Sequence, residues 1–224
     1  MAQIKGPKGT PTIDMTPMVD LAFLLVTFFM LTANFRSEEP VVIDTPSSIA
    51  DLEIPKNVVM ITIDKGGRVF YGFTAGEEAR VQVLKSMAAK YKVGFSPEQY
   101  EKFSTLSSFG CTIQQLPAYL NLNAEERKKT GFSIPNDSLN NQLKDWIDFG
   151  NRQGTAAGKL KYEEALDKDP KVEMNEFKPK FILKADGKAL YTHIKNVIET
   201  FRDLDLNNLN FVTSLEAGTK LETE

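Results

Sequence analysis

Apolar positions are segregated in this chain: one unbroken run lies near the N terminus, and the rest alternates apolar with polar and charged residues, as a folded domain does. From Met15 to Phe35 the sequence reads MTPMVDLAFLLVTFFMLTANF, with Asp20 as its one ionisable side chain. Such a run in helical form rises about 31 Å, enough to cross a hydrocarbon core of about 30 Å. The pattern therefore predicts a transmembrane helix over 15–35, preceded by a tail over 1–14. Pro17 suits the first turn, where its missing backbone donor does no harm. Thr16, Asp20, Thr27 and Asn34 follow one another by four, seven and seven residues, which projects them onto one face; the remainder is mainly Phe, Leu, Met and Val. A polar stripe on a spanning helix meets other protein or a hydrated cavity, because lipid would leave its groups unpartnered. A carboxylate there costs roughly 2.5–3.5 kcal/mol and needs a reason. One reason is proton carriage between the two sides of the membrane. The plainer reading puts Asp20 close to the headgroups, where water reaches it.

Beyond Arg36 the chain carries Pro40, Pro46, Ser47, Ser48 and Pro55 among acidic residues, so 36–57 reads as an extended linker. Val58 to Ile63 and Arg68 to Phe73 read as two strands joined by the turn Asp64-Lys65-Gly66-Gly67, a β-hairpin. Lys180 to Ala185 reads as a strand, and Leu190, Ile194, Val197, Ile198 and Phe201 mark one face of a helix. Leu209 to Ser214 returns as a strand, which makes a right-handed β-α-β unit. Between these parts lie helix-start signals: Ser96-Pro97-Glu98, leading to about Ser108, Asn123 with closure at Gly131, and Asn136-Asp137-Ser138. In the last of these helices Leu139, Leu143, Trp146 and Ile147 fall on one side and are expected to pack on the sheet. The stretch 74–135, with Cys111 and the aromatics Tyr91, Phe95, Tyr100, Phe103 and Phe109, is expected to form a small helical subdomain with its own core. A docking surface is its alternative reading.

Composition narrows the classes. A formal net charge of -3 without a basic stripe argues against nucleic acid as a partner. A single cysteine, Cys111, forms no intramolecular disulfide, and a single histidine, His193, assembles no two-histidine metal site. We expect no metal and no cofactor. No nucleophile elbow, phosphate loop or acid/base pair points to an enzyme. Lys5 and Lys8 precede the apolar run, whereas Arg36 is followed by Glu38, Glu39, Asp44, Asp51 and Glu53. The positive-inside bias then places the N terminus in the cytoplasm and the remainder outside, in the periplasm of a double-membrane bacterium. The internal acid, the length of the run and the poor cleavage site Ala33-Asn34-Phe35 argue against a signal peptide.

The residues IDMTPMVDLAFLLVTFFML, Ile13 to Leu31, resemble the membrane segment of the ExbD/TolR family of biopolymer transport proteins, whose pattern is Asn or Asp, Thr-Pro, an Asp three residues later and an aliphatic run. Thr16, Pro17 and Asp20 match it position by position; Asp14 stands where many members carry Asn, and most simply caps the helix. The resemblance covers 1–75 and roughly 175–215. It implies an α+β fold: one N-terminal transmembrane helix and a periplasmic α/β sandwich over 58–218, made of the hairpin and the β-α-β unit with a mostly helical insertion at about 74–135. A tail follows over 219–224. It also implies an inner-membrane location, a dimer of this subunit inside an ExbB/TolQ-like pentamer, Asp20 as the proton-carrying carboxylate, and a TonB-like protein as a further partner. The helix that begins at Asn136 is expected to supply the family's first helix. Within the family, a Tol-Pal-like envelope role and a gliding motor are the alternatives to energised transport. Outside it stands a membrane-tethered binding protein whose helix is only an anchor.

Overall fold

The computed structural model describes residues 15–32, 57–137, 140–167, 170–206 and 208–212. It divides the chain into two units, Met1–Arg36 and Ser37–Glu224. The first contains one helix, α1 (Thr16–Thr32). Among the described residues no helix is long and apolar enough to cross a membrane. The 17 residues of α1 rise about 26 Å, short of the roughly 30 Å of a hydrocarbon core. The span expected from the sequence runs on to Phe35. Residues 33–35, the tail 1–14 with Asp14, the linker through Lys56 and the C-terminal tail all lie outside the described residues.

In chain order the second unit runs β1 (Val58–Ile63), β2 (Val69–Phe73), α2 (Glu77–Tyr91), α3 (Pro97–Thr105), β3 (Ser108–Phe109), α4 (Leu116–Asn121), α5 (Ala124–Lys129), β4 (Asn136–Asp137), β5 (Asn140–Asn141), α6 (Gln142–Leu166), a 3-10 turn Met174–Glu176, β6 (Lys180–Ala185), α7 (Tyr191–Arg202) and β7 (Leu209–Val212). Five strands form one mixed sheet in the order β3-β2-β1-β6-β7. β1 pairs antiparallel with β2, from Val59↔Phe73 to Ile63↔Val69. On its other side β1 pairs parallel with β6, from Val58↔Lys180 to Ile63↔Ala185, and β6 pairs parallel with β7. The expected hairpin and β-α-β unit are both present, and the β1–β6 ladder makes them one sheet. The hairpin turn is set by Asp64: its Oδ1 accepts from the backbone of Gly66 and Arg68 at 2.9 and 2.8 Å, while Gly67 takes φ 78°, a conformation open to glycine.

Alternation along β1 assigns the two faces. Val59, Ile61 and Ile63 are buried under helices, whereas Met60 and Thr62 are partly exposed. Across the sheet Phe109, Tyr71, Ile61, Leu183 and Phe211 stand in register as one row. The helical layer over that row is led by α6, whose Leu143, Trp146 and Ile147 are fully buried. Trp146 meets Phe109 edge-on at 4.9 Å between ring centroids and also packs on Tyr71 and Phe103. Beside β2, the Ile134 N–H donates to the Val69 carbonyl and Ser133 Oγ accepts from the Val69 N–H, so the chain before β4 continues the cover begun by β3.

Three expectations need correction, and one helix is unanticipated. The helix expected from Asn136 begins instead at Gln142, with the Asn141 side chain accepting from Lys144 N; Asn136 and Asp137 pair with Asn141 and Asn140 in a small two-stranded sheet. Its member Leu139 lies outside the described residues. The helix from Ser96 stops at Thr105, because Ser108 and Phe109 pair with Gly72 and Tyr71. The stretch 74–135 has no core of its own: Phe103, Ile113, Leu116, Leu120 and Ile134 belong to the same continuous cluster as Val59, Ile61 and Trp146. Finally, that stretch contains a helix with no sequence-stated start, α2, whose Val83, Leu84 and Met87 are buried and which packs against α6. The short helix capped by Asn123 forms as expected, with a reciprocal Glu126 contact.

Two measurements check this core. Trp146→Ala should cost about 3–5 kcal/mol in chemical denaturation, whereas Trp146→Phe should cost much less, because Nε1 makes no hydrogen bond within the protein. Burial, and next the neighbouring Cys111, push the Tyr119 hydroxyl up to about 12 against a partly offsetting Arg127. A folded-state pKa raised above the usual value of about 10 contributes stability that is complete below pH about 10 and is lost as pH rises through about 12. Tyrosinate absorbance should therefore show a late-ionising class whose appearance coincides with loss of folded circular dichroism; Tyr119→Phe should remove part of that class.

Candidate functional site

Helix α1 presents large apolar side chains on every side: Met18, Leu21, Phe23, Phe29 and Leu31 are each more than 60% exposed. Pro17 lies in its first turn, and the Met18 and Val19 N–H groups donate to the Met15 carbonyl, which starts the helix there. Asp20 is exposed on this surface and is the one charged residue of α1. Thr27 lies seven residues on, about 10.5 Å along the axis and 20° around it, so the two share a face. Among the described side chains of α1 only Thr27 is partly buried. Its hydroxyl donates to the Phe23 and Leu24 carbonyls at 3.0 and 2.9 Å. The proton of Thr27 is thus committed to the helix backbone, and its free lone pairs offer an acceptor to whatever faces the stripe. Thr16 opens the helix one turn before Asp20. The remaining expected site residues, Asp14 and Asn34, lie outside the described residues.

Among the described residues no group of three or more His, Cys, Asp or Glu side chains is placed to hold a metal. His193 is half-buried on α7, and its ring leaves no room for a side chain at Gly67 of the hairpin turn. Cys111 is fully buried, and burial pushes its thiol far above the usual range, with Arg127 partly opposing. An open cleft of about 380 Å³ lies between α6 and the strand β6, lined by Asn151, Thr155, Lys178, Pro179, Phe181 and Asp205 among others.

Polar groups that sequence reading passed over instead tie segments together. The Arg80 guanidinium donates to the carbonyls of Phe73, Ser104 and Leu106. These join the end of β2 to the end of α3, and burial lowers its pKa, with Glu77 the largest opposing influence. Tyr91 and Lys90 both reach Asp145 at 2.6 Å, clamping α2 to α6. Asn57 is buried at the head of β1, where Nδ2 donates to the Gly154 and Phe177 carbonyls at 2.8 Å. No sequence motif marks Arg80 or Asn57. The only available signal is the Gly150, Gly154, Gly158 spacing on α6, which exposes helix backbone to a neighbour every turn.

Compared with known proteins, the chain matches the family described as Biopolymer transport protein ExbD/TolR over residues 7–216. Neither a curated protein nor a solved structure gives a match.

Proposed function

Because this chain belongs to the ExbD/TolR family of biopolymer transport proteins, we propose that it is the single-pass inner-membrane subunit of a proton-driven motor, with Asp20 as the carboxylate that takes up and releases the proton. The observation that carries this reading is a lone exposed carboxylate on a helix whose own surface is dominated by large apolar side chains. Water does not suit such a surface. Lipid suits it everywhere except along the stripe of Asp20 and Thr27, and that stripe calls for a protein partner with a hydrated or polar lining. The uncharged run continues from α1 through Ala33 and Asn34 to Phe35, which is the length a spanning segment needs.

On this reading two copies of α1 sit within an ExbB/TolQ-like pentamer, their apolar faces packed on partner helices. Proton loading neutralises Asp20 and lets it pass an apolar environment; release restores the charge and holds it beside a polar one. The alternation moves the subunits relative to one another. Thr27 acts as a fixed acceptor two turns from Asp20 on the same face, with Thr16 and Asn34 extending the stripe and Asp14 and Pro17 setting the helix start. The second unit lies in the periplasm and passes the movement to a TonB-like protein for energised outer-membrane transport.

Asp20→Asn keeps size and polarity but carries no proton. At matched protein level, and with the partner complex still recovered intact, it should reduce energised transport to the level of cells lacking the gene. Retained transport would make α1 an anchor and the second unit the functional part.

A further inference from the structure

Asn57 is the first described residue of the second unit and closes the stretch that the sequence marks as a linker. A residue ending a Pro- and Ser-rich segment is ordinarily a solvated hinge. Asn57 is only 9% exposed, and its side chain and backbone hold two distant segments. Nδ2 donates to Gly154 in α6 and to Phe177 ahead of β6, both at 2.8 Å, and the Asn57 carbonyl accepts from Lys180 N at the start of β6 at 2.9 Å. One residue later, Val58 N donates to Thr74 Oγ1 and the Val58 carbonyl accepts from Thr74 N, which ties the same point to the end of β2.

The helix is shaped to allow this. A Cβ at Gly154 would stand 2.9 Å from Asn57 Oδ1 and 3.0 Å from Pro179 Cβ. A Cβ at Gly158 would overlap the Phe177 carbonyl and stand 3.3 Å from Asn57 Nδ2. Only a bare helix backbone brings α6 this close. The arrangement retains a cost, since Oδ1 is buried without a hydrogen bond. A purely local cap would not need to reach two carbonyls in distant parts of the chain.

We propose that Asn57 is a positioning residue for force transmission, the clamp through which tension arriving along the linker enters the second unit. This rests on the motor reading above. β1 has a ladder on both sides, so tension applied while Asn57 is held loads its hydrogen bonds together in shear. Tension that first frees Asn57 opens the ladders from one end, one bond after another. The clamp keeps the outer unit folded while it is pulled.

The test is single-molecule pulling on the full chain in lipid nanodiscs, in two geometries. Handles at residue 37 and the C terminus send the force through Asn57; handles at residue 92 and the C terminus bypass it. Asn57→Ala should lower the unfolding force in the first geometry and leave the second at the wild-type value. An equal loss in both geometries would make Asn57 an ordinary stabilising residue, and no loss in the first would also overturn the clamp. Should Asn57→Ala fail to fold, Asn57→Ser, which is too short to reach both carbonyls, and Gly154→Ala, which displaces α6 from an intact Asn57, carry the same comparison. The pull uses no proton gradient, so failure of the motor reading at Asp20 and failure of the clamp are separately visible.

Discussion

The second unit depends on the parallel ladder between β1 and β6. Its partners Val58 and Lys180, or Ile63 and Ala185, are far apart in the sequence, with helices α2 to α6 between them. Closing such a loop costs entropy that grows only slowly with its length, so the sheet tolerates a long intervening stretch once the ladder is secure. That security comes from side chains on the covered face. Ile61 and Leu183 stand side by side in the row that begins at Phe109, and Trp146 seals the aromatic end of that row. The intervening segment is not an appendage: α2, α4 and the Ile134 segment supply side chains to the same core.

A second level of organisation is polar and lies where segments meet. Asp64 with Arg68 fixes the hairpin turn through a pair at 2.6 Å. Arg80 gathers three chain carbonyls, Asp145 joins α2 to α6, and Asn57 joins β1 to α6 and to the approach of β6. Asp64, Arg80 and Asn57 give backbone groups the partners that water would otherwise supply. The apolar core gives this unit its cohesion, and these junctions determine which segment ends are held against which.

Legibility in the sequence followed the range over which each signal acts. The hairpin, β6, α7 and β7 are readable because alternation, the Asp-Lys-Gly-Gly turn and helical spacing operate within a few residues. α2 escapes for a local reason: its cap is Gly76, which has no side chain to offer, and two of its buried positions are the small Ala79 and Ala88. The start of α6 is ambiguous because asparagine recurs at 136, 140 and 141, and only the pairing of β4 with β5 selects Asn141 as the cap. Asp20 needs no fold to be noticed, since one acid in an apolar run is a compositional fact. Asn57 is the opposite case: it looks like the end of a linker, and its partners Gly154 and Phe177 are nearly a hundred residues or more away in sequence.

The burial of Cys111 gives the molecule an internal clock. The thiol is fully enclosed in the continuous core, and its proton is held tightly, so an alkylating reagent reaches it only when that part of the core opens. Under fast reclosing, the labelling rate divided by that of an exposed thiol is the fraction of time the unit spends open. A chain with one cysteine reports its own breathing without any engineered probe.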